Sequence, residues 1–204
     1  MKKALILLSI VSFVFISCKE EKVKQTEIKN STKKEIKAIP KKVTNVIVWK
    51  GYKPTGSHTG TINVKSTDFK FEGDKLIGGE VIFDMNTIKN KDIKDPNYKA
   101  DLEKHLKSVD FFDIVKNPTS KFVISTVNSD KNGQVEIKGN LTLNGVTKEI
   151  KFPASIKNGT LQSKIIKINR TDFGIKFKSK TFFKNLKDKF INDEFDIAFK
   201  LNLK

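Results

Sequence analysis

The amino-acid sequence predicts a mainly β domain, antiparallel, with about eight strands and one or two short helices. Two observations carry this. Apolar and polar residues alternate with a period of two in segment after segment from Asn45 to the C-terminus, as half-buried strands require. One stretch, after Asp95, carries helix punctuation instead. Strands in this number stack as a sandwich or close into a barrel.

The elements follow in order. "NVIVWKG" (Asn45 to Gly51), "GTINVK" (Gly60 to Lys65) and Asp68 to Glu72 are strand-like. In "GGEVIFDM", Val81, Phe83 and Met85 share one face, with Glu80 and Asp84 on the other. The helix follows: Asp95 caps it, Pro96 suits its first turn, Leu102 and Leu106 share one side, and Glu103 and Lys107 are placed to pair on the outside. "KFVISTV" brings Phe122. "VEIKGNLTL" brings Ile137, Leu141 and Leu143, with Glu136 and Lys138 opposite, and Asn144-Gly145 turns it into "VTKEIKFPASI" as a hairpin. "LQSKIIKI" is one further strand. A second helical or looped stretch is expected near Phe182 to Asp188. The chain ends on "FDIAFKLNL", where Phe195, Ile197, Phe199, Leu201 and Leu203 form an apolar stripe and Asp196 faces out.

An eight-stranded barrel is filled by side chains or holds one small ligand. With 16 Phe against one Trp and two Tyr, the inward aromatics mostly lack polar handles, so a cavity here would be dry and suited to an apolar chain. Each unsaturated five-carbon unit buried there contributes roughly 3–4 kcal/mol as an upper bound. The same stripes can instead pack into a solid core, the state a surface scaffold or adhesion module would have.

The net charge of +17 invites a nucleic-acid reading, but 39 of the 40 basic residues are lysine. Arginine, the usual reader of guanine and of phosphate forks, is nearly absent. The lysines alternate with apolar residues and fall on outer strand faces, where they solvate the surface and discourage edge pairing. No nucleic-acid partner is expected. In such a chain the lone Arg170 marks a place where a point charge will not serve: a bidentate pair with a carboxylate, with Asp172, Asp188 and Asp193 as candidates.

The N-terminus has its own pattern. Lys2 and Lys3 precede the apolar run Ala4 to Ser17, too short to span a bilayer comfortably, and the single cysteine follows as Cys18. The stretch resembles a bacterial lipobox, which implies cleavage before Cys18 and acylation of its thiol and amino group. Residues 1–17 are then a lipoprotein signal peptide, and 18–43, charged and free of aromatics, a flexible tether. Residues 44–204 are the folded domain. "KEE" after the cysteine resembles an export signal of some Bacteroidota lipoproteins. The expected location is the outer membrane of a Gram-negative cell, facing periplasm or surface and held by N-terminal acyl chains.

Catalytic signatures are lacking. There are two histidines, no HExxH, GxSxG or glycine-rich phosphate loop, and no metal-ligand spacing, so neither metal nor cofactor is expected. His105 and Ser108 lie three apart where the helix ends and are best placed to satisfy backbone groups. His58, in the turn-like "TGSHTG", is a candidate for contact with a head group at a barrel mouth. Asp188 and Asp193 as an acid pair are set aside for the simpler role beside Arg170.

"HLKSVDFFDIVKNPTSKF" (His105 to Phe122), "GNLTLNGVTKEIKFP", "INRTDFGI" and "KDKFINDEFDI", in that order, resemble the YceI-like family. "GSHTGTINV" and "GGEVIFDMNTI" fit the same pattern. The resemblance covers residues 44–204. It implies an extended, lipocalin-like antiparallel barrel that holds a long isoprenoid, such as a polyprenyl phosphate or quinone tail, without catalysis. Val81, Phe83, Met85, Phe122, Ile137, Leu141, Leu143, Phe195, Ile197 and Phe199 are then the expected pocket. The alternatives are the packed scaffold, and a lipid-acting hydrolase or isomerase using His105 or His58. Oligomeric state is not legible, and a homodimer stays open.

Overall fold

A computed structural model of the chain describes residues 45–130 and 132–203. These belong to the second of the chain's two units, Ile36–Lys204. The signal peptide, Cys18 and the tether lie outside the described residues.

The alternating segments form one antiparallel sheet of nine strands: β1 (Val46–Lys53), β2 (Gly56–Glu72), β3 (Lys75–Asn90), β4 (Thr119–Ser129), β5 (Gln134–Leu143), β6 (Val146–Lys157), β7 (Thr160–Ser163), β8 (Ile166–Asn169) and β9 (Glu194–Asn202). Each strand from β1 to β6 pairs with the next, β7 pairs with β9, and β9 returns to β1, with Trp49 opposite Ile197. This closes the wall, although β2 beyond Val64 pairs on one side only, with β3, among the described residues. β7 and β8 lie end to end on the same side of β9, at Leu161 opposite Leu201 and Ile168 opposite Phe195. The barrel therefore has eight staves, one of them broken.

Two boundaries differ from the sequence pattern. The expected strands at 60–65 and 68–72 are the single strand β2, which bends through register shifts at Thr61/Asn63 and Val64/Ser66. Such shifts raise local twist and help a sheet close. Conversely, "LQSKIIKI" is two strands. Lys164 N–H donates to the Pro153 carbonyl at 3.0 Å, and Ile166 then resumes pairing on β9 alone. The Asn144-Gly145 hairpin is present, with both residues at positive φ (49° and 75°) and Leu143 opposite Val146.

The helix α1 (Pro96–Lys107) starts where expected, with the Asp95 carboxylate accepting from the Asn97 and Tyr98 amides. Glu103 is not on its outer side. It is buried, and it accepts from the Asn90 amide at 2.9 Å and from Lys89 Nζ at 3.0 Å, so it does not serve Lys107. Burial alone would raise its pKa. The Asn90 N–H and the Lys89 ammonium outweigh that and hold the carboxyl below its ordinary value. The stretch near Phe182 to Asp188 is a run of turns ending in a 3-10 helix at Lys187–Lys189.

Strand directions sort the connections into two ends. One end holds the tight turns after β2, β4 and β6. The other holds the β1–β2 and β5–β6 turns and both long connections: β3 through α1 to β4, and β8 to β9 across residues 170–193.

Candidate functional site

The inward faces of the staves enclose an elongated cavity of about 140 Å³. Phe195, Ile197, Phe199 and Leu201, alternating on β9, all line it, so it runs about 20 Å along that strand at roughly 3.3 Å per residue. Val81, Phe83, Met85, Phe122, Ile137, Leu141 and Leu143 line it too, which brings together all ten residues of the expected pocket. Most are almost fully buried: Val81 is 2 % exposed and Ile137 0 %. Ile47, Trp49, Ile88, Phe111, Phe152 and Ile191 also contribute, although sequence reasoning had not singled them out as lining. Those of β1, β3 and β6 follow from strand alternation. Phe111 and Ile191 come from the long connections, whose positions no local period encodes.

The cavity is not centred. Leu76, Val135, Ala154 and Leu203 are buried in the same core but do not line it. They lie toward the tight-turn end, where Leu161 and Leu201 also line the cavity, and at its other end the cavity reaches residues of the long connections, Leu106, Phe111, Ile175 and Asn192. Two glycines keep large rings off the axis. A Cβ on Gly60 would stand 2.4 Å from Trp49 Cζ2, and one on Gly139 would stand 2.7 Å from Phe122 Cζ. Each ring thus lies against the wall where a side chain would otherwise be. Trp49 Nε1 is buried with no hydrogen-bond partner among the described residues, a local cost of about 1–3 kcal/mol.

Outer faces carry the expected charges, cross-paired between strands: Lys121 with Glu80 (3.3 Å), Lys151 with Glu136 (3.3 Å) and Lys138 with Glu149 (3.0 Å). Asp196 is the exception. It points outward from β9 yet is only 4 % exposed, because the Tyr52 hydroxyl donates to it and Lys167 Nζ lies 3.4 Å away. Burial, and then the bond to Asp196 and its charge, push the Tyr52 hydroxyl well above the ordinary tyrosine value.

Arg170 lies at the long-connection end with its side chain buried. It makes no forked carboxylate pair. Nε donates to the Asn192 carbonyl (3.0 Å), one terminal nitrogen to the Ile175 carbonyl (2.9 Å), and the other to the Ile191 carbonyl (2.9 Å) and Asp193 Oδ1 (3.2 Å). Asp193 is the partner, through one oxygen, while its second oxygen accepts from Thr181 Oγ1 (2.7 Å). Asp172 and Asp188 do not pair with Arg170. Burial lowers the guanidinium's pKa and the Asp193 charge opposes this, but a guanidinium stays charged. Spread over carbonyls at both ends of the 175–193 segment, Arg170 staples that loop shut.

His58 is in β2, not a turn, and does not line the cavity. Its Nδ1 lies 3.0 Å from Asp92 Oδ2, and Asp92 Oδ1 accepts from the Thr59 amide (2.8 Å) and Asn90 Nδ2 (2.6 Å). Burial would raise the Asp92 pKa, but the Thr59, His58 and Asn90 bonds bring it below the ordinary carboxylate value. The completely buried Asn90, which also accepts from the Ile93 amide (2.8 Å), makes this cluster the anchor of the β3–α1 turn. His105 lies 3.1 Å from Asp110 and edge-on to Phe111 and Phe177, while Ser108 Oγ donates to the His105 carbonyl (2.8 Å). That hydroxyl is committed to the helix end and not to the ring. No cluster of three or more His, Cys, Asp or Glu side chains fit to hold a metal occurs among the described residues.

A closed antiparallel barrel with an apolar, elongated interior places the molecule in the lipocalin-like class. The model of the YceI-like domain matches residues 29–203, and the chain belongs to that family. UPF0312 proteins of Shewanella denitrificans and Vibrio cholerae are 38 % and 36 % identical over 95 and 96 residues, or 47 % and 46 % of this chain. The chain spans about half the length of these curated relatives, 47 % and 50 %. Among solved structures, BcnA of Burkholderia cenocepacia is 20 % identical with a TM-score of 0.59, covering 76 % of this chain and 93 % of that one. A polyisoprenoid binding domain from Saccharophagus degradans is 14 % identical with a TM-score of 0.56, covering 78 % and 93 %. Both share the fold.

Proposed function

We propose that this barrel binds and carries, or sequesters, one long isoprenoid-type lipid without chemically changing it, at the cell envelope. The observation that carries the reading is the elongated apolar cavity at the centre and long-connection end of a closed barrel. Its shape suits a linear hydrocarbon, and three buried five-carbon units, at roughly 3–4 kcal/mol each, exceed the lower estimates of association cost. The polyisoprenoid-binding description of the Saccharophagus domain supports the same ligand class. A polyprenyl phosphate or a quinone tail fits it, the polar head staying near the long-connection end, where Arg170 and Asn192 line the cavity. We further propose that Cys18 carries the acyl chains that tie the domain to the membrane; Cys18→Ser should then leave an uncleaved, unacylated precursor in detergent partitioning.

Organic extraction of the purified protein, with native mass spectrometry before and after, tests the ligand. The wild type is expected to release a prenyl lipid. Ile137→Trp, which fills the bore, is expected to release at least tenfold less while its circular dichroism is unchanged. A protein that carries no lipid, takes none up, and unfolds on this substitution would be a packed scaffold, and the carrier reading would fall.

A further inference from the structure

The connection from β8 to β9 has a surface that lipid binding inside the barrel does not account for. Between Ile175 and Phe190 it holds six lysines against one aspartate, Asp188, and all six lysines are exposed. At its crest Phe182 and Phe183 stand 46 % and 49 % exposed, side by side. Three of the lysines lie against aromatic faces, Lys176 over Phe182 (4.5 Å), Lys178 over Phe177 (5.2 Å) and Lys180 over Phe190 (3.6 Å). Phe177 in turn packs on Phe111 and His105, with ring centres 5.7 and 4.6 Å apart, so the loop is joined to the segment after α1. That segment exposes Val109 (76 %) and Val115 (90 %). Arg170 closes the loop's base, where Ile175, Ile191 and Asn192 line the cavity.

We infer that this loop is a membrane-docking surface: Phe182 and Phe183 enter the interface of an anionic bilayer, and the surrounding lysines bind its head groups. An apolar crest ringed by ammonium groups is the chemistry that settles at an anionic lipid surface. A protein partner bearing only acidic side chains would leave the paired phenyl rings in water. The opposite end supplies a contrast within the molecule. There Phe71 (42 %) and Ile77 (48 %) are also exposed, but their turn carries Lys70 and Lys75 against Glu72 and Asp74, with no excess of charge. Docking by the basic loop sets the hollow end of the barrel on the membrane, where an isoprenoid could pass between bilayer and cavity. In that respect the inference rests on the proposed ligand class.

The test uses the full chain carrying Phe182→Trp, with Phe71→Trp as its counterpart, mixed with phosphatidylcholine vesicles containing phosphatidylglycerol and brominated lipid. Native Trp49, which lines the cavity, is common to both variants, and its emission in the wild type is subtracted from each. Emission from position 182 is expected to be quenched, and emission from position 71 is not. Adding Lys184→Glu and Lys187→Glu, or raising salt to 1 M, is expected to reduce the quenching at position 182 about tenfold or more, whether or not the N-terminal anchor holds the protein on the vesicle. Equal quenching at the two positions, quenching unchanged in vesicles of phosphatidylcholine alone, or no quenching at 182 would each overturn the inference. Extraction of lipid from the same Lys→Glu variants separates the two readings. Docking lost with lipid retained tells of the loop alone, whereas docking intact in a protein that never holds lipid sinks the cavity reading.

Discussion

At the tight-turn end of the barrel, Leu76, Val135, Ala154 and Leu203 are buried in the core without lining the cavity; at the long-connection end, Leu106, Phe111, Ile175 and Asn192 line it. Composition does not separate the two halves. What differs is where the large rings go and what covers the ends. Trp49 and Phe122 lie back on Gly60 and Gly139, and the open end is roofed by long connections held by side-chain bonds. The turn end is joined by short turns that draw the strands together. Hollowness is therefore a property of ring direction and loop length rather than of the apolar stripes.

The largest effect expected from this contrast is on core truncation. Leu76→Ala, in the packed half, should cost about 3–4 kcal/mol, since it opens a void in a filled region. Leu143→Ala, whose side chain already faces the cavity, has fewer contacts to lose and should cost about 2 kcal/mol or less. Denaturant unfolding of both variants checks this, and equal losses would break the distinction between the halves.

Arg170→Lys should rank next, at about 3 kcal/mol despite the retained charge. An ammonium cannot reach three carbonyls and Asp193 in their fixed directions. A melting curve matching wild type would remove the staple from the account of the open end.

Glu103→Gln should cost about 2 kcal/mol at neutral pH, because a charged acceptor of the Asn90 amide and Lys89 is lost. The sign of its pH dependence follows from the lowered folded-state pKa. The stability contributed by the ionised carboxyl is fully present above the ordinary value of 4.5 and is lost as pH falls through the folded value. Wild type and variant should therefore converge in thermal melts as pH falls below 4.5 and through the lowered folded value. A gap that persists there would show that the bonds do not depend on the charge.

The smallest effect should come from the outer wall. Lys138→Ala, breaking its bond to the exposed Glu149, should change stability by less than about 0.5 kcal/mol, and less still in high salt. A larger loss would mean that the wall charges, and not the interior, hold the barrel.

How much was legible follows from the range of each interaction. Period-two alternation placed every inward residue of the expected pocket, because a strand's side-chain direction is set by its own pleat. Asp95, Pro96 and Asn144-Gly145 punctuated correctly, since caps and two-residue turns are made within a few residues. Neighbouring strands decided the rest of the wall: β2 is continuous because β3 pairs with it through Ser66 and Thr67, and β7 parts from β8 where β6 stops supporting it. The rarity of arginine announced that Arg170 needed directed donors, yet its acceptors are carbonyls more than five residues away as well as near. His58 and Glu103 were misplaced for a related reason, and the burial of the outward Asp196 was not foreseen. Each is held by partners brought near only by the fold: Asp92, Asn90 and Tyr52.

By itself, then, the sequence determined an antiparallel β domain, which face of each strand turns inward, and an interior almost without polar groups. These depend on backbone geometry and water avoidance, which act on each segment independently. Only the tertiary structure decided that the interior encloses a cavity reaching the long connections, and that a basic, aromatic loop lies at that end. Those outcomes depend on the separation of side chains across the barrel axis, and that distance exists only once the staves have closed.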